Sequence, residues 1–245
     1  MGIWGKLVGG AAGFAVGGPL GALVGAAAGH AFDVMRAERD GDDGEMNIRK
    51  QTAFAIAVIV LGAKMAKADG QVTREEIEAF KEVFRIPPDE MSNVGRLFNQ
   101  ARKDSHGFEP YAGQVARLFA DSPAVLEELL DGLFHIAKAD GVAHPKELEY
   151  LKAVSDIFGF DETTFDRVRA ASLGGSVSDP YAILGVPREA SNDAVRRAWR
   201  RLMRDNHPDS LIAQGMPQDF VDMATEKVAT INVAYDRICE QRGIK

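Results

Sequence analysis

The stretch DPYAILGVPREASNDAVRRAWRRLMRDNHPD, residues 179–209, decides the fold of the C-terminal region. Asp179 and Pro180 favour the N-cap and the first position of a short helix. Ser191 suits the N-cap of a second helix, which we predict to run to about Asn206. Apolar side chains recur there at helical spacing and predict one buried face. They are Val195, Ala198, Trp199, Leu202 and Met203.

The other face of this second helix is dense in arginine. We call it the basic face, and it consists of Arg196, Arg197, Arg200, Arg201 and Arg204. Like charges at this density repel one another, so the face predicts a partner with an acidic surface. Asp205 adds one acid at the end of the helix. Across residues 179–245 acids balance bases, so the positive charge is localised.

His207-Pro208-Asp209 follows the basic face directly, and we call these residues the corner. Proline stops the helix and pushes its neighbour toward extended angles, so a rigid loop presenting a His and an Asp is predicted. Apolar residues at helical spacing from Phe220 to Ile238 then predict a long helix that packs on the second one as a helical hairpin.

A repeat organises the middle of the chain, which has a helical pattern from Gln51 to about Ser172. AKADG occurs at 66–70 and again at 137–141, and each copy predicts a helix, an Asp-Gly turn and a second helix. The acids of the repeat permit two roles, helix capping or ligation of a divalent cation such as calcium or magnesium. They are Asp69, Glu76, Asp140 and Glu147.

The N-terminal region is apolar and rich in glycine. No charged residue occurs from Leu7 to Phe32, and a helix of that length would span about 39 Å, enough for a bilayer core of about 30 Å. We therefore predict a transmembrane anchor over residues 1–32. Glycines at every fourth position form a glycine zipper through which two such helices would pack as a homodimer. They are Gly9, Gly13, Gly17, Gly21, Gly25 and Gly29.

Basic residues are scarce before this anchor and frequent after it. Lys6 precedes the uncharged segment Leu7–Phe32, and the basic residues that follow this segment closely are Arg36, Arg39, Arg49 and Lys50. The positive-inside rule therefore places the later domains in the cytoplasm, with a single crossing of the membrane. The polar residues 33–50 predict a juxtamembrane linker. A cleaved signal peptide and a flexible tail are alternatives for the glycine-rich segment.

Composition excludes several classes of function. A net charge of −7 and a pI near 5.3 argue against a general nucleic-acid binder. The single cysteine, Cys239, excludes an intramolecular disulfide and a cysteine-rich zinc cluster. No Ser or Cys nucleophile occurs in a recognisable motif near the His-Asp pair, so we predict that the protein is not an enzyme.

These motifs resemble known families. The order of DPYAILGV, the arginine-rich helix, His-Pro-Asp and INVAY resembles the J domain of Hsp70 co-chaperones over residues 179–245. The duplicated Lys-Ala-Asp-Gly pattern resembles the TerB-like helical domain over 51–172. With the glycine-rich start, the chain is similar to the DjlA-type family of membrane-anchored bacterial J proteins. That similarity implies an all-α chain with an anchor, a helical bundle, a linker at 173–178 and a C-terminal helical hairpin.

The resemblance implies a regulator of another enzyme. In J domains the His-Pro-Asp loop and the basic helix dock on ATP-bound Hsp70 and accelerate its ATP hydrolysis, with no cofactor. Here His207, Pro208 and Asp209 would be the trigger, and the basic face would dock a DnaK-type Hsp70 at the bacterial inner membrane. Two rival functions stay open. One is a metal-binding stress-response sensor acting through the middle domain, and the other is a structural tether whose J domain is inactive.

Overall fold

The structure is a computed structural model, and every regular element among the residues that it describes is a helix. This confirms the predicted all-α fold class. The described residues are 18–22, 42–68, 77–78, 80–81, 86, 88, 90–103, 107–139, 141, 143–173, 179–217 and 221–244.

The middle of the chain forms a bundle around one central helix. Its helices are α1 (Asp42–Ala68), α2 (Met91–Lys103), α3 (Glu109–Leu118), α4 (Pro123–Ala137), α5 (Pro145–Ile157) and α6 (Glu162–Leu173). From Thr52 to Ala66 every residue of α1 is buried, and the helix contacts α2, α3, α4 and α5. An apolar helix without a wide polar face needs neighbours on all sides, which is why the sequence from Gln51 predicts a buried position.

Helix α1 begins within the predicted linker. The juxtamembrane linker is predicted over 33–50, and within this range the helix already begins at Asp42. A helix is favoured here by residues of high helix propensity, which are Glu45, Met46, Arg49 and Lys50. The change from polar to apolar sequence therefore falls inside one continuous helix.

Of the predicted anchor, the structure describes residues 18–22. Gly18 has a φ of +60°, in the left-handed region that glycine adopts without a steric penalty. Leu20 is fully buried, and its N–H donates to Gln114 Oε1 at 2.9 Å. No helix within the described ranges is long and apolar enough to cross a membrane. Gly21 lies in the helical residues 18–22, and the other zipper positions lie outside the described residues: Gly9, Gly13, Gly17, Gly25 and Gly29.

The C-terminal region contains α7 (Pro180–Leu184), α8 (Asn192–Asp205), α9 (Pro208–Ala213) and α10 (Val221–Arg242). Helices α8 and α10 pack together as the predicted hairpin, and α7 contacts both. The Trp199 ring stacks on Tyr235 with centroids 4.5 Å apart, and its Nε1 donates to Asn232 Oδ1 at 2.9 Å. Helix α9 replaces part of the predicted loop because Pro208 occupies a favourable first helical position.

Candidate functional site

The basic face lies on the solvent side of α8. Ser191 Oγ accepts the Ala194 N–H at 3.2 Å, so the predicted N-cap is present. Val195 and Leu202 are buried in a core shared with α10, and this fixes which side of α8 faces solvent. Four arginines are exposed, namely Arg197, Arg200, Arg201 and Arg204. Arg196 is half-buried, with its guanidinium 4.0 Å from Asp193 Oδ1.

The corner joins α8 to α9 and is open to solvent. His207 is extended, with φ −65° and ψ 131°, and is the N-cap of α9. Its Nδ1 accepts the Asp209 N–H at 3.2 Å, so a neutral ring carries its proton on Nε2. The His207 and Asp209 side chains are 58% and 90% exposed. The corner therefore presents an imidazole donor and a carboxylate acceptor to any approaching surface.

Buried residues on both sides hold the corner in place. Asn206 is 1% exposed, and its Nδ2 donates to Leu202 O at 2.8 Å, which closes the end of α8. Leu211 is fully buried, and its N–H donates to His207 O at 3.1 Å. Sequence reasoning missed the roles of Asn206 and Leu211, although a polar residue just before a proline-stopped helix end is a capping signal. The exposed corner is therefore held between two buried residues.

A cleft of about 400 Å³ separates the end of α8 from the middle domain. Arg201 and Asp205 line it from the α8 side, and Phe160 and Thr164 line it from the other. Asp205 Oδ1 also accepts from Arg204 Nε at 3.2 Å. The acid at the end of α8 therefore pairs with its arginine neighbour.

A buried ion cluster, absent from the sequence predictions, links the two domains. Lys227 on α10 is 5% exposed, and its Nζ lies 2.6 Å from both Glu127 Oε1 and Glu128 Oε1 on α4. Arg167 on α6 donates through both terminal nitrogens to Glu127, with Nη1 at 2.9 Å from Oε1. Asp131 accepts from Ser172 Oγ at the same cluster. Three carboxylates thus face two cations.

The two glutamates of this cluster differ in acidity although both contact the same ammonium. Burial alone would raise the pKa of Glu127, but Lys227 and Arg167 outweigh burial and hold that pKa far below its usual range. Burial raises the pKa of Glu128 to about 7, with Lys227 opposing and Asp131 adding to the rise. Glu128 lacks the bidentate arginine, and within the described structure its Oε2 has no hydrogen-bond partner.

Lys227 remains protonated although it is buried. Burial lowers the pKa of a lysine, but attraction to Glu127 and Glu128 reverses that effect and leaves the pKa of Lys227 above its ordinary value. One signal in the sequence could have revealed the residue. Lys227 falls three residues after Ala224 and four before Ile231, on the stripe of α10 that turns out to be buried.

The repeat acids divide between described and undescribed residues. Asp69, Glu76 and Asp140 lie outside the described residues. Glu147 is 1% exposed, and its Oε2 accepts the His144 N–H at 2.8 Å, which is the capping role predicted from the sequence. Within the described ranges no group of three His, Cys, Asp or Glu residues is arranged to hold a metal ion.

Three family models match successive parts of the chain. Residues 1–41 match the family model for the co-chaperone DjlA transmembrane domain. Residues 55–170 match that for the tellurite resistance protein TerB. Residues 179–243 match the DnaJ domain. No solved structure matches the chain.

Curated relatives match over nearly their full lengths. A co-chaperone protein DjlA of Vibrio cholerae serotype O1 is 30% identical, with 100% of both chains covered. A DjlA of Photobacterium profundum is 28% identical over 99% of this chain and 100% of the relative. The DjlA of Escherichia coli K12 is 26% identical with 100% of both chains covered. The predicted resemblance is therefore confirmed, and the chain belongs to the DjlA family of J-domain co-chaperones.

Proposed function

We propose that this co-chaperone stimulates ATP hydrolysis by a DnaK-type Hsp70 through the corner and the basic face. The observation that carries the proposal is their continuity, because the exposed arginines of α8 run directly into the solvent-exposed His207 and Asp209. The arginines would attract an acidic patch of Hsp70 over several ångströms. The corner would then make short-range contacts that only a correctly oriented partner can satisfy.

The corner suits a regulatory role because it is stiff before the partner arrives. Pro208 fixes its own φ, and the Asp209 N–H to His207 Nδ1 bond orients the imidazole. A preorganised contact loses less conformational freedom on binding, so more of the contact energy is available to shift the Hsp70 equilibrium. The J domain needs no cofactor for this task.

We propose that the site operates at the cytoplasmic face of the bacterial inner membrane. The match of residues 1–41 to a transmembrane domain and the arginines and lysine at positions 36, 39, 49 and 50 support this topology. The glycine zipper would pack two anchors together in the lipid bilayer as a homodimer. The functional units proposed for this arrangement are the anchor 1–32, the middle domain 51–172, the linker 173–178 and the J domain 179–245.

Single-turnover ATP hydrolysis by DnaK tests the proposal. The full chain in lipid nanodiscs is expected to accelerate hydrolysis, and His207→Gln and Asp209→Asn are each expected to reduce that acceleration by about tenfold or more. Asp209→Asn removes the carboxylate charge and His207→Gln removes the imidazole, and a hydrogen bond to a charged group is worth about 1.5–3 kcal/mol. Asp236→Asn, an exposed change on α10, is the matched control. Equal hydrolysis rates with and without the wild-type protein would refute the proposal.

A further inference from the structure

The J domain is tied to the middle domain at several buried points. Leu211, Met216 and Ala224 of the J domain are buried in the same apolar cluster as the core of the middle domain. Helix α6 contacts α7, and α4 contacts α10. A glycine- and serine-rich linker at 173–178 would by itself leave the orientation of the J domain free. The orientation must therefore come from these contacts.

Three buried acids of α4, which we call the acidic seat, require a cation from outside the middle domain. Glu127, Glu128 and Asp131 all belong to α4, and within their own domain Arg167 pairs with Glu127. His135, also on α4, lies 3.9 Å from Asp131, and among the described residues the ammonium that contacts both glutamates belongs to Lys227, 99 residues along the chain from Glu128. A buried carboxylate without a counter-charge is strongly disfavoured. The seat is therefore satisfied when the J domain is docked.

A second contact prevents the J domain from turning about Lys227. Gly185 ends α7 with a φ of +64°, and a Cβ placed there would lie 2.9 Å from Arg167 Cδ. Arg167 thus reaches Glu127 through its guanidinium and packs through its alkyl chain against the J-domain turn. Two separated contacts, one on α10 and one at the end of α7, define an orientation where a single contact would act as a pivot.

We propose that Lys227 is a positioning residue, which holds the J domain in one orientation on the middle domain while the corner stays open to solvent. The two domains then move as one body. This inference goes beyond the proposed function and does not depend on it, because the docking involves residues of this chain alone.

Pulsed electron–electron spin resonance on the full chain in nanodiscs tests the inference. Spin labels are placed at Lys146→Cys on α5 and Asp236→Cys on α10, both exposed, in a Cys239→Ser background. The expected result is one narrow distance distribution. Lys227→Met is expected to abolish the narrow peak, and Lys227→Arg to retain it because the charge is kept. Glu226→Gln, an exposed neighbour on α10, is the control and retains it.

A second label pair separates undocking from unfolding. Glu189→Cys with Asp236→Cys reports distances inside the J domain and is expected to be unchanged in Lys227→Met. If Lys227→Met disturbs this pair, Glu127→Gln/Glu128→Gln, which leaves the J domain intact, is expected to broaden the interdomain distances instead. Wild-type interdomain distances in that double variant, or in a folded Lys227→Met, would overturn the inference. His207→Gln is expected to keep the narrow peak, so a failed DnaK assay leaves this test valid.

Discussion

The basic face of α8 and the ion cluster around Lys227 use the same chemistry in opposite surroundings. Arg204 on the basic face has a side chain that is 76% exposed, whereas the Lys227 side chain is 3% exposed. Exposed charges are well solvated, contribute little to stability and act at a distance on other molecules. Buried charges must be paired where they lie, so they specify one arrangement of the chain. Under the proposed function, the exposed set would serve recognition, whereas the buried set specifies how the two domains pack.

The largest expected effect is the loss of stability when the buried cation Lys227 is removed, compared with the removal of an exposed arginine. Lys227→Met is expected to destabilise the folded chain by about 3–5 kcal/mol, because it leaves buried carboxylates without their partner. Arg200→Met, which removes an exposed cation, is expected to change stability by about 0.5 kcal/mol or less. Urea unfolding of the full chain in nanodiscs measures both. Equal shifts of the two midpoints would remove the distinction between the two sets.

The stability contributed by the buried ion cluster is also expected to depend on pH. The pKa of Glu128 is raised to about 7 in the folded chain, so the folded state binds more protons than the unfolded state between its ordinary value of 4.5 and 7. Stability therefore falls as the pH rises through this window, by about 2 kcal/mol between about pH 5.5 and 8. Glu127 adds no slope there, since its lowered pKa leaves it ionised in both states.

The groups that face Glu128 come from several helices, and a single variant isolates its contribution. Lys227 approaches from α10, Arg167 from α6, and Asp131 from its own helix, with His135 3.9 Å from Asp131. Glu128→Gln is expected to reduce the difference in the free energy of unfolding between about pH 5.5 and pH 8. The variant keeps every histidine, so the reduction reports on Glu128. An unchanged pH slope in this variant would assign the dependence to another group.

High salt is expected to weaken interactions of the exposed basic face and to leave the buried ion cluster around Lys227 unchanged. Screening lengths fall from about 8 Å at physiological ionic strength to about 3 Å at 1 M, which weakens exposed charges far more than buried ones. Half-maximal stimulation of DnaK is therefore expected to require about tenfold more wild-type protein at high salt, whereas the interdomain distance stays fixed. Arg200→Glu/Arg204→Glu is expected to raise the required concentration at low salt and to reduce the salt dependence. A salt-independent wild type would contradict docking through the basic face.

The sequence predicted local features and missed long-range ones for a physical reason. The caps at Asp179 and Ser191 and the apolar face of α8 depend on neighbours within one helical turn, and they are present as predicted. The Lys227 seat depends on α4 and α6, which pack against α10 only in the folded chain. Sequence patterns encode which helix face is buried, but they do not identify which polar groups meet across two domains.

The start of α1 shows the same limit at a domain boundary. The polar residues ahead of Gln51 predict a linker, but polarity does not specify the backbone conformation of that linker. The helix nevertheless extends back to Asp42, since a helix continues through polar residues of good propensity wherever nothing stops it. The corner was predicted more accurately because proline acts on the backbone itself, through a fixed φ and a missing N–H.

The smallest expected effect concerns Glu147, a buried acid that caps the start of α5. Its carboxylate accepts the His144 N–H, so it caps α5 with a backbone donor where Glu128 relies on an ammonium. Glu147→Gln keeps an acceptor oxygen but removes the negative charge near the N-terminus of α5, and it is expected to lower stability by about 0.5 kcal/mol. Calcium titration followed by thermal unfolding tests the rival role, since a metal ligand would lose calcium-dependent stabilisation in this variant, whereas a cap would lose the same stability with or without calcium. Glu149→Gln, an exposed change on the same helix, is the control.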